Sequence, residues 1–253
     1  IFTLGATAMT VFFAACSVAA LRAFATITHT RRADHDALAI AFYVILPLQY
    51  LLVWLNVPIF AALLIPVYCF LLLPVVTVFK GEVAGFLTRV SETQWGLMVC
   101  VYCVSHIPAI LQLQIPGYRY SSFTLVAWLI LVVQASDVLQ YVWGKSLGRH
   151  KLAPRVSPSK TVEGLAGGML SASLLGMALA PITPFGWWQA GLVALVVTTF
   201  GFFGGLIMSA IKRDRGVKDW GTLVQGHGGI LDRLDSLVFS APVFLHILAW
   251  GWL

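Results

Sequence analysis

Between Ser209 and Asp235 the chain gathers cations, carboxylates and glycines: Ser209, Lys212, Arg213, Lys218 and Asp219, then Gly226, His227, Gly228, Gly229, Asp232, Arg233 and Asp235. Asp232 and Asp235 are three apart, so on a helix they share one face and can hold a divalent ion. Waters and a substrate's phosphate oxygens would complete the shell that Mg2+ prefers. Glycines on both sides of His227 let backbone N–H groups approach a phosphate closely, as an anion-binding nest. Lys212, Arg213, Lys218 and Arg233 carry charge enough to neutralise a triphosphate and a second phosphorylated molecule. A loop that only sets membrane orientation needs Lys and Arg. It has no use for two carboxylates beside the next apolar run, or for glycines around a His.

A second polar constellation starts inside an apolar run. Gln134, Asp137, Gln140 and Tyr141 form one stripe on a helix. Asp137 precedes Trp143 by a distance of roughly 9 Å along the helix axis at the usual rise. An ionisable residue at that depth is costly and faces a cavity or a partner. The following segment, residues 144–163, holds Lys145, Arg149, Lys151, Arg155 and Lys160, with Pro154 and Pro158 stiffening it as a loop. Ser157 or Ser159 is placed to cap the next helix.

The elements that position these groups follow from composition. Hydrophobic residues make up 59% of the chain and charged residues 10%, with a mean hydropathy of +0.89. So much apolar surface excludes a water-soluble domain and predicts an all-α polytopic membrane protein. Eight spans are expected: Phe2–Phe24, Leu38–Val57, Pro58–Phe79, Trp95–Ile115, Phe123–Trp143, Gly164–Ile182, Trp187–Ser209 and Leu237–Leu253, with a tight turn at Asn56 and Pro58. Alternate loops then hold fifteen of the sixteen Lys and Arg residues, and Arg119 alone lies on the opposite side. The positive-inside rule places the four basic loops in the cytoplasm. A net charge of +6 points to an anionic partner. Because the cations sit in short loops between apolar runs, that partner is a phosphate at a membrane surface and not a nucleic acid. Cys100 and Cys103 form a CxxC without a second pair, so the four cysteines read as packing residues. With no repeat or linker, residues 1–253 are expected to form a single domain, less patterned over 1–130 and carrying the chemistry over 131–253.

Residues 209–235 resemble the signature of the CDP-diacylglycerol synthase (phosphatidate cytidylyltransferase) family: S-x-x-K-R-x4-K-D, then H-G-G-x-x-D-R-x-D. Ser136, Asp137, Tyr141, Gly144, Gly148 to Lys151, Pro154, Ser157, Pro158, Lys160, Thr161, Glu163 and Gly164 resemble the family's other patterned stretch. The resemblance implies a membrane enzyme that makes CDP-diacylglycerol and pyrophosphate from CTP and phosphatidate with Mg2+, a second cation being left open. Its setting would be the bacterial inner membrane, with the site facing the cytoplasm. It further implies metal ligation by Asp232, Asp235 and Asp219. Phosphate handling would fall to Lys212, Arg213, Lys218 and Arg233, and His227 would belong to the catalytic set. Ser209, Gly228, Gly229 and Ser157 would line the nucleotide site, and Asp137 and Lys160 would complete the cavity. CTP, a lipid phosphate and membrane lipids are the implied partners; a homodimer is left open. One departure bears on the metal. Many relatives carry a Gly-Asp pair four residues ahead of the signature serine, and this chain has Gly204-Gly205. Either Asp219 or Asp137 compensates, or the site uses one fewer ligand, or the chain is a weakened, lipid-binding relative. Another lipid phosphate as acceptor is the alternative within the same chemistry.

Overall fold

A computed structural model of the chain describes residues 5–28, 31–221 and 229–252. Gly226, His227 and Gly228 of the expected site lie outside the described residues. Eight helices are seen among the described residues: α1 (Ala6–Ile27), α2 (Arg32–Trp54), α3 (Pro58–Val78), α4 (Phe86–Gln112), α5 (Ser122–Leu147), α6 (Val162–Ala178), α7 (Trp187–Asp214) and α8 (Leu231–Trp252). All but α6 are long and apolar enough to cross a membrane. The protein is an all-α polytopic membrane protein. Helix α6 has 17 residues and is followed by a 3-10 turn over Ala180–Ile182, so the expected Gly164–Ile182 span corresponds to these two pieces.

The turn at Asn56 has the form that ends many helices. Asn56 adopts a left-handed backbone (φ 55°). The Val57 N–H donates to the Leu52 carbonyl at 3.0 Å and the Asn56 N–H to the Val53 carbonyl at 3.1 Å. This pairing satisfies two carbonyls of the last turn, and Pro58 then opens α3 where a missing N–H costs nothing. Gly216 (φ 68°) ends α7 in the same way, just after Lys212 and Arg213.

The chain separates into two compact units. The first comprises the described residues of Ile1–Gln112 and Trp220–Asp232; the second comprises those of Leu113–Asp219 and Arg233–Leu253. In the first unit, α2, α3 and α4 each contain a π-helical stretch: Ala41–Ile45, Leu64–Cys69 and Met98–Cys103. Pro66 removes the N–H that a π-turn would direct at the Ala61 carbonyl. Gln49 Nε2 donates to that carbonyl at 3.0 Å, as Gln94 Nε2 does to the Ile65 carbonyl. Gln49 thus supplies a donor where proline has none, and Gln94 adds a second donor to the Ile65 carbonyl, which also accepts the Phe70 N–H.

Arg89, counted above as a topology-setting cation, is instead buried. Its Nε donates to Asp34 Oδ1 at 3.0 Å, both side chains being only 4% exposed. Its Nη2 donates to the Glu82 carbonyl at 2.9 Å, and Nη1 donates to the Ala84 carbonyl. Asp34 in turn accepts the Arg31 N–H on Oδ2 at 2.9 Å. Removing one member of a buried pair leaves the other charge uncompensated, at a cost of about 3–5 kcal/mol. Arg89→Met should therefore lower the thermal midpoint of the purified protein in detergent by several degrees. A midpoint equal to wild type would show that the pair contributes nothing.

The second unit contains a feature unlike the expected loop. Lys151–Ala153 (β1) and Ser157–Thr161 (β2) form a two-stranded antiparallel hairpin with an irregularity between Lys151 and Ala153. Pro158 is tolerated because a two-stranded ribbon has only edge strands. Helix α6 is capped by Thr161, whose Oγ1 accepts the Gly164 N–H at 3.1 Å, and not by Ser157 or Ser159. The side chain with the free N-cap geometry is the one next to the helix, and the two serines fall within the strand.

Candidate active site

Helix α7 meets α8 along a stripe of glycines. A Cβ on Gly201 would lie 2.8 Å from Ser240 Oγ, and one on Gly204 would lie 2.7 Å from the Asp235 carbonyl. Such small residues let two backbones approach, which is the main source of helix association in lipid. The next glycine in the stripe serves the site. A Cβ on Gly205 would meet Lys160 Nζ at 3.3 Å, Ser236 Oγ at 3.4 Å and Asp235 Oδ2 at 3.7 Å.

Four charged groups converge around that point, all from the second unit. Asp137 comes from α5, Lys160 from β2, Lys212 from α7 and Asp235 from α8. The Asp137 carboxylate faces the Ser236 hydroxyl and the Lys160 ammonium. Lys160 faces Asp137 and Asp235, with Lys212 as a like charge nearby. Its Nζ donates to the Phe202 carbonyl at 3.5 Å and sits 4.4 Å from the centre of the Phe202 ring. Burial holds the Lys160 ammonium below the usual lysine range; the two carboxylates oppose that shift and Lys212 adds to it. Asp235 Oδ1 accepts the Ser236 N–H at 2.8 Å, which fixes the carboxylate's orientation.

Positioning comes from the junction of α5, the hairpin and α6. Glu163 accepts the backbone N–H groups of Arg149 at 3.0 Å and His150 at 3.2 Å, and it pairs with the His150 ring. A Cβ on Gly148 would lie 2.7 Å from Thr161 Oγ1, and one on Gly168 would lie 2.7 Å from the Gln140 nitrogen. Gly144 and Gly148 thus bring α5, which carries Asp137, against Thr161 beside Lys160, and Gly164 and Gly168 bring α6 against α5.

The other expected residues take different places. Asp232 Oδ2 accepts the backbone N–H groups of Trp220 and Gly229, each at 2.9 Å, within the first unit. Trp220 is fully buried there and stacks on Phe24 at 5.5 Å. Asp232 therefore ties Trp220 to Gly229. Ser209 Oγ donates to the Gly205 carbonyl at 2.7 Å along its own helix. Arg213 is exposed and donates from Nη1 to the Val217 carbonyl at 3.2 Å. Lys218, Asp219 and Arg233 are exposed, and Gln134 Nε2 donates to the Arg233 carbonyl at 3.4 Å. Ser157 is half-buried in β2. Ser236 and Phe202 belong to the charged cluster although no sequence reading singled them out. Ser236 follows the signature's last Asp directly, whereas Phe202 carries no signal beyond its hydrophobicity.

Two carboxylates and two ammonium groups leave the cluster balanced in charge. Among the described residues no three His, Cys, Asp or Glu side chains come together as a metal cage. Asp137, Asp235 and the Ser236 hydroxyl suit a divalent ion that brings phosphate oxygens with it, since Mg2+ takes one or two carboxylates and fills its shell from water and substrate.

The sequence model of the cytidylyltransferase family matches residues 1–250. The uncharacterized protein YnbB of Escherichia coli (strain K12) is 41% identical over 206 residues, covering 81% of this chain and 69% of YnbB. A phosphatidate cytidylyltransferase of Staphylococcus saprophyticus is 34% identical over 165 residues, and one of Staphylococcus epidermidis is 35% identical over 171. In both cases 64% of this chain is covered, and the chain spans 63% of the staphylococcal protein. With the patterned stretches and the match over nearly its whole length in agreement, the chain belongs to the cytidylyltransferase family.

Proposed function

We propose that the protein transfers a cytidylyl group from CTP to phosphatidate, giving CDP-diacylglycerol and pyrophosphate. The observation that carries this reading is the convergence of Asp137, Lys160, Lys212 and Asp235 from four elements, within a chain that matches the cytidylyltransferase family. A phosphate oxygen of phosphatidate attacks the α-phosphorus of CTP. The new O–P bond forms as the bond to the β,γ-diphosphate breaks, and the electron pair leaves with pyrophosphate. The acceptor is itself a phosphate anion, so no protein nucleophile is needed.

The work of this chain is alignment and charge stabilisation. Lys160, held at Phe202 and facing the two carboxylates, and Lys212 would hold phosphate oxygens. Arg213, Lys218 and Arg233 would draw the nucleotide in from the exposed rim. Asp137 and Asp235 would hold Mg2+ that accompanies CTP; when bound, the ion offsets the charge that accumulates on the phosphates. The basic loops support a site that faces the cytoplasm, where CTP is available.

Purified protein supplied with labelled CTP and a panel of phosphatidate, lysophosphatidate and an isoprenoid ether-lipid phosphate tests the acceptor. CDP-lipid and pyrophosphate should form in equal amounts with phosphatidate. If phosphatidate yields none while another acceptor reacts, the substrate assignment is wrong. Gly205 favours a second reading, that of a binding protein with a weakened site. It requires that no acceptor on the panel yields CDP-lipid.

A further inference from the structure

We propose that the Lys160 ammonium takes the space beside Asp235 that Gly205 leaves open, so that the site holds no divalent ion by itself and accepts one only together with the nucleoside triphosphate. The inference rests on the transfer reading above for the identity of the nucleotide, but not for the identity of the acceptor.

The first support is steric. A Cβ at residue 205 would stand 3.3 Å from Lys160 Nζ and 3.7 Å from Asp235 Oδ2. Any side chain there would project at the ammonium, and an acidic one would stand beside Asp235. In this chain nothing projects, and the lysine head reaches in. The head is also fixed in place. It lies 4.4 Å from the Phe202 ring centre and 3.5 Å from the Phe202 carbonyl oxygen, both of which favour a cation. The ammonium lies within electrostatic reach of Asp137 and Asp235, the same two carboxylates that a divalent ion would use.

The second support is the charge count. Asp137 and Asp235 bring two negative charges, and Lys160 and Lys212 two positive ones. A bare divalent ion would enter a balanced cluster and meet two ammonium groups with no charge left to offset it. A triphosphate reverses that balance, because it brings several negative charges and oxygen ligands of its own. Mg2+ also gives up its waters reluctantly, so a pair of carboxylates whose charge a nearby lysine already offsets is a poor site for the free ion. An acidic side chain at this position would tip the count towards the metal, and with Gly205 in its place binding of the ion is conditional.

Mn2+ is the probe, read by the enhancement of water-proton relaxation that accompanies binding to the full-length protein in detergent. It is titrated with and without the non-hydrolysable α,β-methylene analogue of CTP. Wild type should show protein-bound Mn2+ only with the analogue, with an apparent affinity at least about tenfold tighter than without it. Gly205→Asp should bind free Mn2+ at least about tenfold more tightly than wild type. Lys160→Met keeps the glycine and removes the resident cation, so it should gain free-ion affinity as well; it serves as the arm that does not depend on folding of the first variant. Wild type binding free Mn2+ as tightly as its analogue complex would overturn the proposal, as would a Lys160→Met protein with unchanged free-ion affinity. Absence of any analogue-dependent enhancement overturns it together with the transfer reading. The expected titration combined with no CDP-lipid from phosphatidate overturns the acceptor assignment alone.

Discussion

Asp235→Asn is expected to lower kcat/KM for CDP-lipid formation by about 10³-fold, the scale of losing one preorganised electrostatic group in a desolvated site. The substitution is nearly isosteric, and the amide oxygen can still accept the Ser236 N–H that Asp235 Oδ1 accepts at 2.8 Å. Local structure should persist while the charge disappears. The loss would be divided between KM and kcat, because the carboxylate would hold the ion that arrives with CTP and also orient Lys160 against the phosphates. Asp137→Asn should act in the same direction, since Asp137 and Asp235 both face Lys160. The double variant should be little worse than either single one, as expected for groups that act as a unit. If Asp235→Asn retained more than about a tenth of wild-type kcat/KM, the cluster at Gly205 would not be where transfer occurs.

How far the sequence led depends on the kind of feature. Hydropathy located the helices because a span needs a long apolar run and nothing else. The turn at Asn56 and Pro58 was legible as a break because asparagine reaches a left-handed backbone more cheaply than most residues and proline restricts the residue before it. The 144–163 segment was expected as a loop and instead contains a hairpin. A hairpin with strands of three and five residues has too short an alternation to register, and two prolines argue against strand by composition. Arg89 was counted as a surface cation because sequence cannot show that Asp34, fifty-five positions away, will be buried against it. In the site, the patterned positions turned out to divide by role. Asp137, Lys160, Lys212 and Asp235 converge as charges, while Gly144 and Gly164 are where two backbones touch. Asp232 looked equivalent to Asp235 by spacing, yet its Oδ2 accepts two backbone N–H groups. A motif records that a residue is required. It does not say whether the requirement is chemical or steric.

Gly164→Ala separates these two requirements. In an ordinary helix interior this change is stabilising by nearly 1 kcal/mol, through propensity alone. Here the added Cβ would lie 2.7 Å from the Gln140 carbonyl oxygen, 2.9 Å from the Gly144 Cα and 2.9 Å from Thr161 Oγ1. Two of those neighbours are backbone, and the third is the cap that starts α6, so none can swing aside as the tip of a flexible side chain would. The helices must separate or shift, at a cost typical of overpacking, about 1–3 kcal/mol. The shift reaches the chemistry directly. Gln140 and Gly144 belong to the same helix as Asp137, and Thr161 adjoins Lys160 in the strand, so a displacement at Gly164 changes how these two charges meet. A misplacement of about 1 Å in a positioned group can lower a rate by about a hundredfold. Gly164→Ala should therefore lower both the thermal midpoint in detergent and kcat, although it touches no substrate and alters no charge. A variant more stable than wild type would show that helix propensity governs this position and that the close approach of α5 and α6 does not hold the site together.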